Sequence, residues 1–105
     1  MNIEKIANAI DANVVVNSDA EIERFYVGDF LSRVMGSAPS DSCWLTVMNN
    51  VNVAGVAVLA EIKIIVLCEG VMPLLDLKSR CEMENIALLT TRMSVFEASV
   101  KLGNL

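Results

Sequence analysis

Apolar positions along this chain switch repeatedly between a helical and an extended period. Ile3, Ile6, Ala7 and Ile10 recur at the spacing of one helix face, which predicts a short amphipathic helix over about Asn2 to Ile10. The β-branched run Val14, Val15, Val16 predicts a short strand. A second strand is expected from Ile22 to Val27, beyond the turn residues Asn17, Ser18 and Asp19. Gly28 and Asp29 break that strand and are expected to cap a helix through Met35, with Gly36 as its end. After the polar connector Ser37 to Ser42, strands are predicted at Cys43 to Met48, Lys63 to Cys68 and Ile86 to Leu89. Helices are predicted at Asn50 to Glu61, Pro73 to Glu84 and Ser94 to Leu102.

Strands separated by helices of this length are βαβ units, whose crossovers give parallel neighbours and a sheet covered by helices. Ile64-Ile65-Val66-Leu67 shows no alternation, as a strand buried on both faces requires. The pattern therefore predicts a layered α/β/α domain with a mostly parallel sheet. All 105 residues belong to it, because the chain is too short for two ordinary domains.

The segment Asn50 to Glu61 departs from the usual amphipathic pattern. On a helical wheel Val53, Val56, Ala57 and Ala60 form one face, and Val51, Ala54, Gly55 and Val58 form the opposite one. A helix apolar on both sides is normally covered on both sides, and the sheet covers one. The other face, with its small residues, is expected to pair with a second copy of the chain, making Val51, Ala54, Gly55 and Val58 a homodimer interface. The competing expectation is that the amino-terminal helix, or the helix from Asp29 to Met35, folds over that face.

Composition agrees with surplus apolar surface. The chain is 54% hydrophobic, with a mean hydropathy of +0.53. A net charge of -5, with eight Lys and Arg scattered singly, supplies no basic stripe for nucleic acid. Asn52, Glu61 and Lys63 interrupt the most apolar stretch, so no membrane span is expected, and Glu4 interrupts what a secretory leader would need. Cys43, Cys68 and Cys81 are odd in number and widely spaced, which predicts reduced thiols in a cytoplasmic protein. The absence of histidine removes Ser-His and Cys-His pairs and imidazole metal ligands, so no enzyme activity, metal or cofactor is expected. Met35, Met48, Met72, Met83 and Met93 are expected to fill core gaps and loop contacts.

Candidate chemistry concentrates where the predicted strands end. In open parallel sheets, ligands lie beyond the carboxyl ends of strands, beside the amino termini of the following helices. Three loops meet that description here, and they offer Asn49, Asn50, Asn52, Cys68, Glu69, Gly70, Thr90, Thr91, Arg92 and Ser94 as ligand-binding residues in one polar pocket. Arg92 adds a charge for a small anionic ligand. Each Asn or Ser is also an ordinary helix cap. Cys68 beside Glu69 is either an exposed reactive thiol or a buried inert one.

The run Tyr26-Val27-Gly28-Asp29-Phe30-Leu31-Ser32-Arg33-Val34-Met35-Gly36, followed by Trp44-Leu45-Thr46-Val47-Met48-Asn49-Asn50-Val51-Asn52-Val53, resembles the DRTGG domain family. Glu69-Gly70-Val71-Met72-Pro73 and Ser94-Val95-Phe96-Glu97 fit the same pattern, which looks most like small stand-alone clostridial members. The resemblance implies a fold similar to the amino-terminal domain of HPr kinase. It also implies a regulatory or chain-pairing role such as relatives beside CBS domains have, and a link to hydrogenase or electron-transfer metabolism. Asn49-Asn50 stands where the family has Asp-Arg, and Cys68-Glu69-Gly70 where it has Thr-Gly-Gly. Those departures favour a scaffold role or a different ligand.

Two functions are therefore expected to compete. The first is a non-catalytic regulatory or protein-interaction module acting as a homodimer, with a partner protein or a small anion at the loops. The second is a sensor of an adenine nucleotide or similar anion.

Overall fold

The computed structural model describes residues 1–105. Ten elements follow along the chain: α1 (Ile3–Ala9), β1 (Asn13–Val16), β2 (Arg24–Val27), α2 (Leu31–Ser37), β3 (Ser42–Thr46), α3 (Asn52–Ala60), β4 (Ile64–Leu67), α4 (Leu75–Glu84), β5 (Ala87–Thr90) and α5 (Val95–Gly103). Every predicted element is present, with no end moved by more than two residues. The largest changes are local. β2 begins at Arg24 because Ile22 instead bonds the chain's start, its N–H donating to the Met1 carbonyl at 2.9 Å. Gly36 lies inside α2, which runs on to Ser37.

The five strands form one sheet in the order β1-β5-β4-β3-β2. β2 to β5 are parallel, in registers such as Trp44 opposite Ile65 and Leu67 opposite Thr90. β1 is the exception and runs antiparallel to β5, with a register shift between Val14 and Val16. Each crossover from β2 to β5 steps the same way across the sheet, and crossovers of one hand that step one way deposit their helices on one face. Accordingly α2, α3 and α4 pack on the face carrying Trp44, Ile65, Leu67 and Leu88. α1 and α5 cover the face carrying Cys43, Leu45, Ile64, Val66 and Leu89. The result is the layered α/β/α arrangement that the sequence predicts, and β3 and β4 are buried on both faces.

α3 corrects the expectation of a wholly free second face. Ala54, assigned to a homodimer interface, is fully buried inside its own chain, where α2 lies alongside α3. The helix from the Asp29 region thus covers part of that face. Val51 and Gly55 are half-buried, while Val58 is 37% and Leu59 71% exposed. The methionine expectation also changes, because Met35, Met72 and Met83 are all exposed.

Candidate functional site

The one-way winding of the sheet removes the strand-order reversal at which doubly wound folds open a crevice. A cleft forms elsewhere on the same edge, above the end of β5, where the antiparallel β1 begins. Its volume is about 700 Å3, and its lining includes Thr90, Thr91 and Arg92 from the end of β5 and Glu69 and Gly70 from the turn after β4. Ile10, Asp11 and Asn13 close it from the α1–β1 turn, with Met72 and Met93 beside them.

Short hydrogen bonds hold these walls. The Glu69 N–H donates to the Met93 carbonyl at 2.8 Å and the Gly70 N–H to the Thr91 carbonyl at 3.0 Å, which ties the two loops together. Both residues take left-handed backbone, with φ of +62° and +74°, so a glycine at position 70 relieves one of two consecutive unfavourable conformations. The buried Thr91 hydroxyl donates to the Ile10 carbonyl at 2.7 Å and accepts from the Met93 N–H at 3.2 Å, pinning the end of α1 to the same loop. Asp11, at φ +51°, then turns the chain into β1.

Five of the ten sequence candidates line this cleft: Glu69, Gly70, Thr90, Thr91 and Arg92. The other five do not, and the side chains of three of them have a structural task. Asn49 donates from Nδ2 to the Met72 carbonyl at 2.8 Å, fixing the loop before α4. Asn50 accepts from the Asn52 N–H at 2.9 Å, at the start of α3. Ser94 and Glu97 form a reciprocal capping box on α5, which satisfies two of the donors that an anion would otherwise find there. Cys68 is fully buried, in agreement with the reading of an inert thiol rather than an exposed one. The expected three-loop pocket is thus a two-loop cleft completed by the α1–β1 turn. Asp11, Asn13 and Ile10 escaped the sequence reading because only the pairing of β1 with β5 brings them to this edge.

Asp29 has a role other than helix capping. Its Oδ1 accepts from the Thr46 hydroxyl at 2.7 Å and from the Val47 N–H at 2.9 Å, while Phe30 occupies the cap position of α2. The carboxylate therefore clamps the end of β3 to the β2–α2 turn.

The thiols are held in their neutral form. Burial, with the Glu69 and Asp29 carboxylates adding to it, pushes Cys68 from the ordinary 9.0 up to about 11. Burial also raises Cys81 to about 11, Arg80 opposing and Glu82 assisting, and it raises Cys43 further still. A folded-state value above the unfolded one means that the unfolded chain loses its thiol protons first as pH rises. Stability is therefore expected to be unaffected by these groups below pH 9 and to fall between about pH 9 and 11. Urea melts at pH 8 and pH 10.5 check this, with Cys68→Ala and Cys81→Ala reducing the difference; equal loss in wild type and both variants would contradict it.

No protein-family model matches the chain, and no curated protein does. Among solved structures, it is similar to the CBS and DRTGG domains of the regulatory region of Clostridium perfringens pyrophosphatase, complexed with its activator diadenosine tetraphosphate. The TM-score is 0.78 at 12% identity, over 96% of this chain and 45% of that one. The likeness shows a shared fold, and this chain spans less than half the length of its neighbour. No helix is long and apolar enough to cross a membrane.

Proposed function

We propose that the chain is a non-catalytic regulatory module that acts as a homodimer, pairing through α3 and responding to a small ligand at the β5 cleft. The observation that supports it most directly is the surface of α3. Leu59, 71% exposed, stands beside Val58 and the half-buried Val51 and Gly55, in a shallow groove bordered by Arg80 of α4. The glycine lets two helices approach closely, and burying the exposed leucine between them removes apolar area from water. The fold shared with a pyrophosphatase regulatory region favours the regulatory half of the reading. So does the resemblance to small stand-alone clostridial DRTGG members. A ligand that changes how the two chains pack would shift the population of a paired state.

Sedimentation velocity at micromolar concentration tests the pairing. The expected species has twice the 11.4 kDa mass of one chain. Leu59→Glu is expected to weaken association by about tenfold to a hundredfold, as loss of a central apolar contact does. A single-chain species at all concentrations overturns the homodimer.

A second reading, a sensor of an adenine nucleotide or similar anion, draws on Arg92 in the cleft and on the nucleotide activator of the structural neighbour. Against it stand the Asp11 and Glu69 carboxylates in the same cleft and the capping box that already engages two N–H groups at the amino end of α5.

A further inference from the structure

The lining of the cleft carries an unbalanced set of charges. Asp11, Glu69 and Arg92 border it, and none of the three forms an ion pair within the chain. Thr90 also lines it, at the end of β5 and only 5% exposed. The Thr90 hydroxyl bonds no group of the chain and is not sealed away, unlike that of Thr91, which is fully engaged. A hydroxyl that opens on a cleft takes its partner from whatever fills the cleft, water or ligand.

From this we infer that the cleft binds a small molecule with two cationic groups and one carboxylate, that is, a basic α-amino acid. The inference rests on the reading of the chain as a ligand-responsive module and names the class of its ligand. Two carboxylates against one guanidinium repel a phosphate or nucleotide and complement a ligand carrying the inverse set. In this arrangement the ligand carboxylate pairs with the planar donors of Arg92, which suit it bidentately. Its two cations meet Asp11 and Glu69, and the Thr90 hydroxyl takes one remaining polar contact. The aliphatic stem lies against Ile10, Met72 and Met93, as the stems of long cationic side chains do on apolar surface.

Titration calorimetry on the full chain tests this with L-lysine and L-arginine, beside norleucine, cadaverine and inorganic phosphate. Norleucine lacks the second cation, and cadaverine lacks the carboxylate. Lysine or arginine is expected to bind at least about tenfold more tightly than either control, the worth of one charge-assisted contact. Arg92→Met removes the advantage over cadaverine, and Glu69→Gln reduces that over norleucine. Both positions are exposed, and circular dichroism verifies that each variant is folded. Binding of norleucine as tight as lysine, binding of phosphate alone, or no heat with either basic amino acid overturns the inference. Any of these leaves the homodimer to stand or fall by sedimentation.

Discussion

Trp44→Ala is expected to lower the stability of the folded chain by about 3–5 kcal/mol, the range for deleting a buried aromatic side chain. Trp44 is fully buried in the middle of β3, beside Tyr26 on β2 and Ile65 on β4. It packs among the side chains of α2, α3 and α4. Its indole N–H also donates to the Gly28 carbonyl at 2.8 Å, so truncation strips a partner from the turn that leads into α2. Against a total of about 5–15 kcal/mol for an ordinary domain, the variant has little margin left. The chain has one tryptophan, so the measurement is urea unfolding followed by circular dichroism rather than fluorescence. Trp44→Phe, which keeps most of the volume, is expected to cost clearly less. A loss below about 1 kcal/mol for the alanine variant would mean that the core closes over the gap.

Ile6→Ala is the second large effect, with an expected loss of about 2–5 kcal/mol. α1 has seven residues, too few to hold a helix alone, so its existence depends on docking. Ile6 is fully buried and, with Ile3 and Ile10, attaches α1 to the sheet face that α5 shares. The ends of α1 are held separately. Asn2 accepts from the Lys5 N–H at 2.9 Å, the terminal ammonium donates to the Ile22 carbonyl at 2.8 Å, and Thr91 bonds the Ile10 carbonyl. Removing the central anchor is therefore expected to raise amide exchange across Ile3–Ala9 more than elsewhere. Asn8→Ala on the exposed side serves as the control and is expected to change stability by less than about 0.5 kcal/mol. Equal losses for the two variants would show that α1 is held by its ends alone. Because Ile10, Asp11 and Asn13 wall the cleft, the same variant is expected to weaken any ligand bound there.

The order and type of all ten elements were legible in the sequence, because period, turn residues and uninterrupted apolar runs such as Ile64–Leu67 are local signals of burial. The loops after β4 and β5 were legible as a polar edge for the same reason. What the chain's linear pattern left open were the pairings. An apolar wheel around α3 does not say which neighbour covers which side, and it was α2 in the folded chain that took Ala54 out of any interface. A short valine strand does not declare its direction. β1 entered antiparallel at the β5 edge, and that placement brought Asp11 and Asn13 across from Glu69 and Arg92. Caps and ligand contacts use the same residue types, so Asn50, Ser94 and Asp29 gave up their roles only once their hydrogen-bond partners were known. Local pattern was enough for the succession of elements, the buried strands and the charged residues at the strand ends. Tertiary structure alone decided which of those ends meet, since contact between residues distant along the chain is a property of packing and strand order rather than of any local propensity.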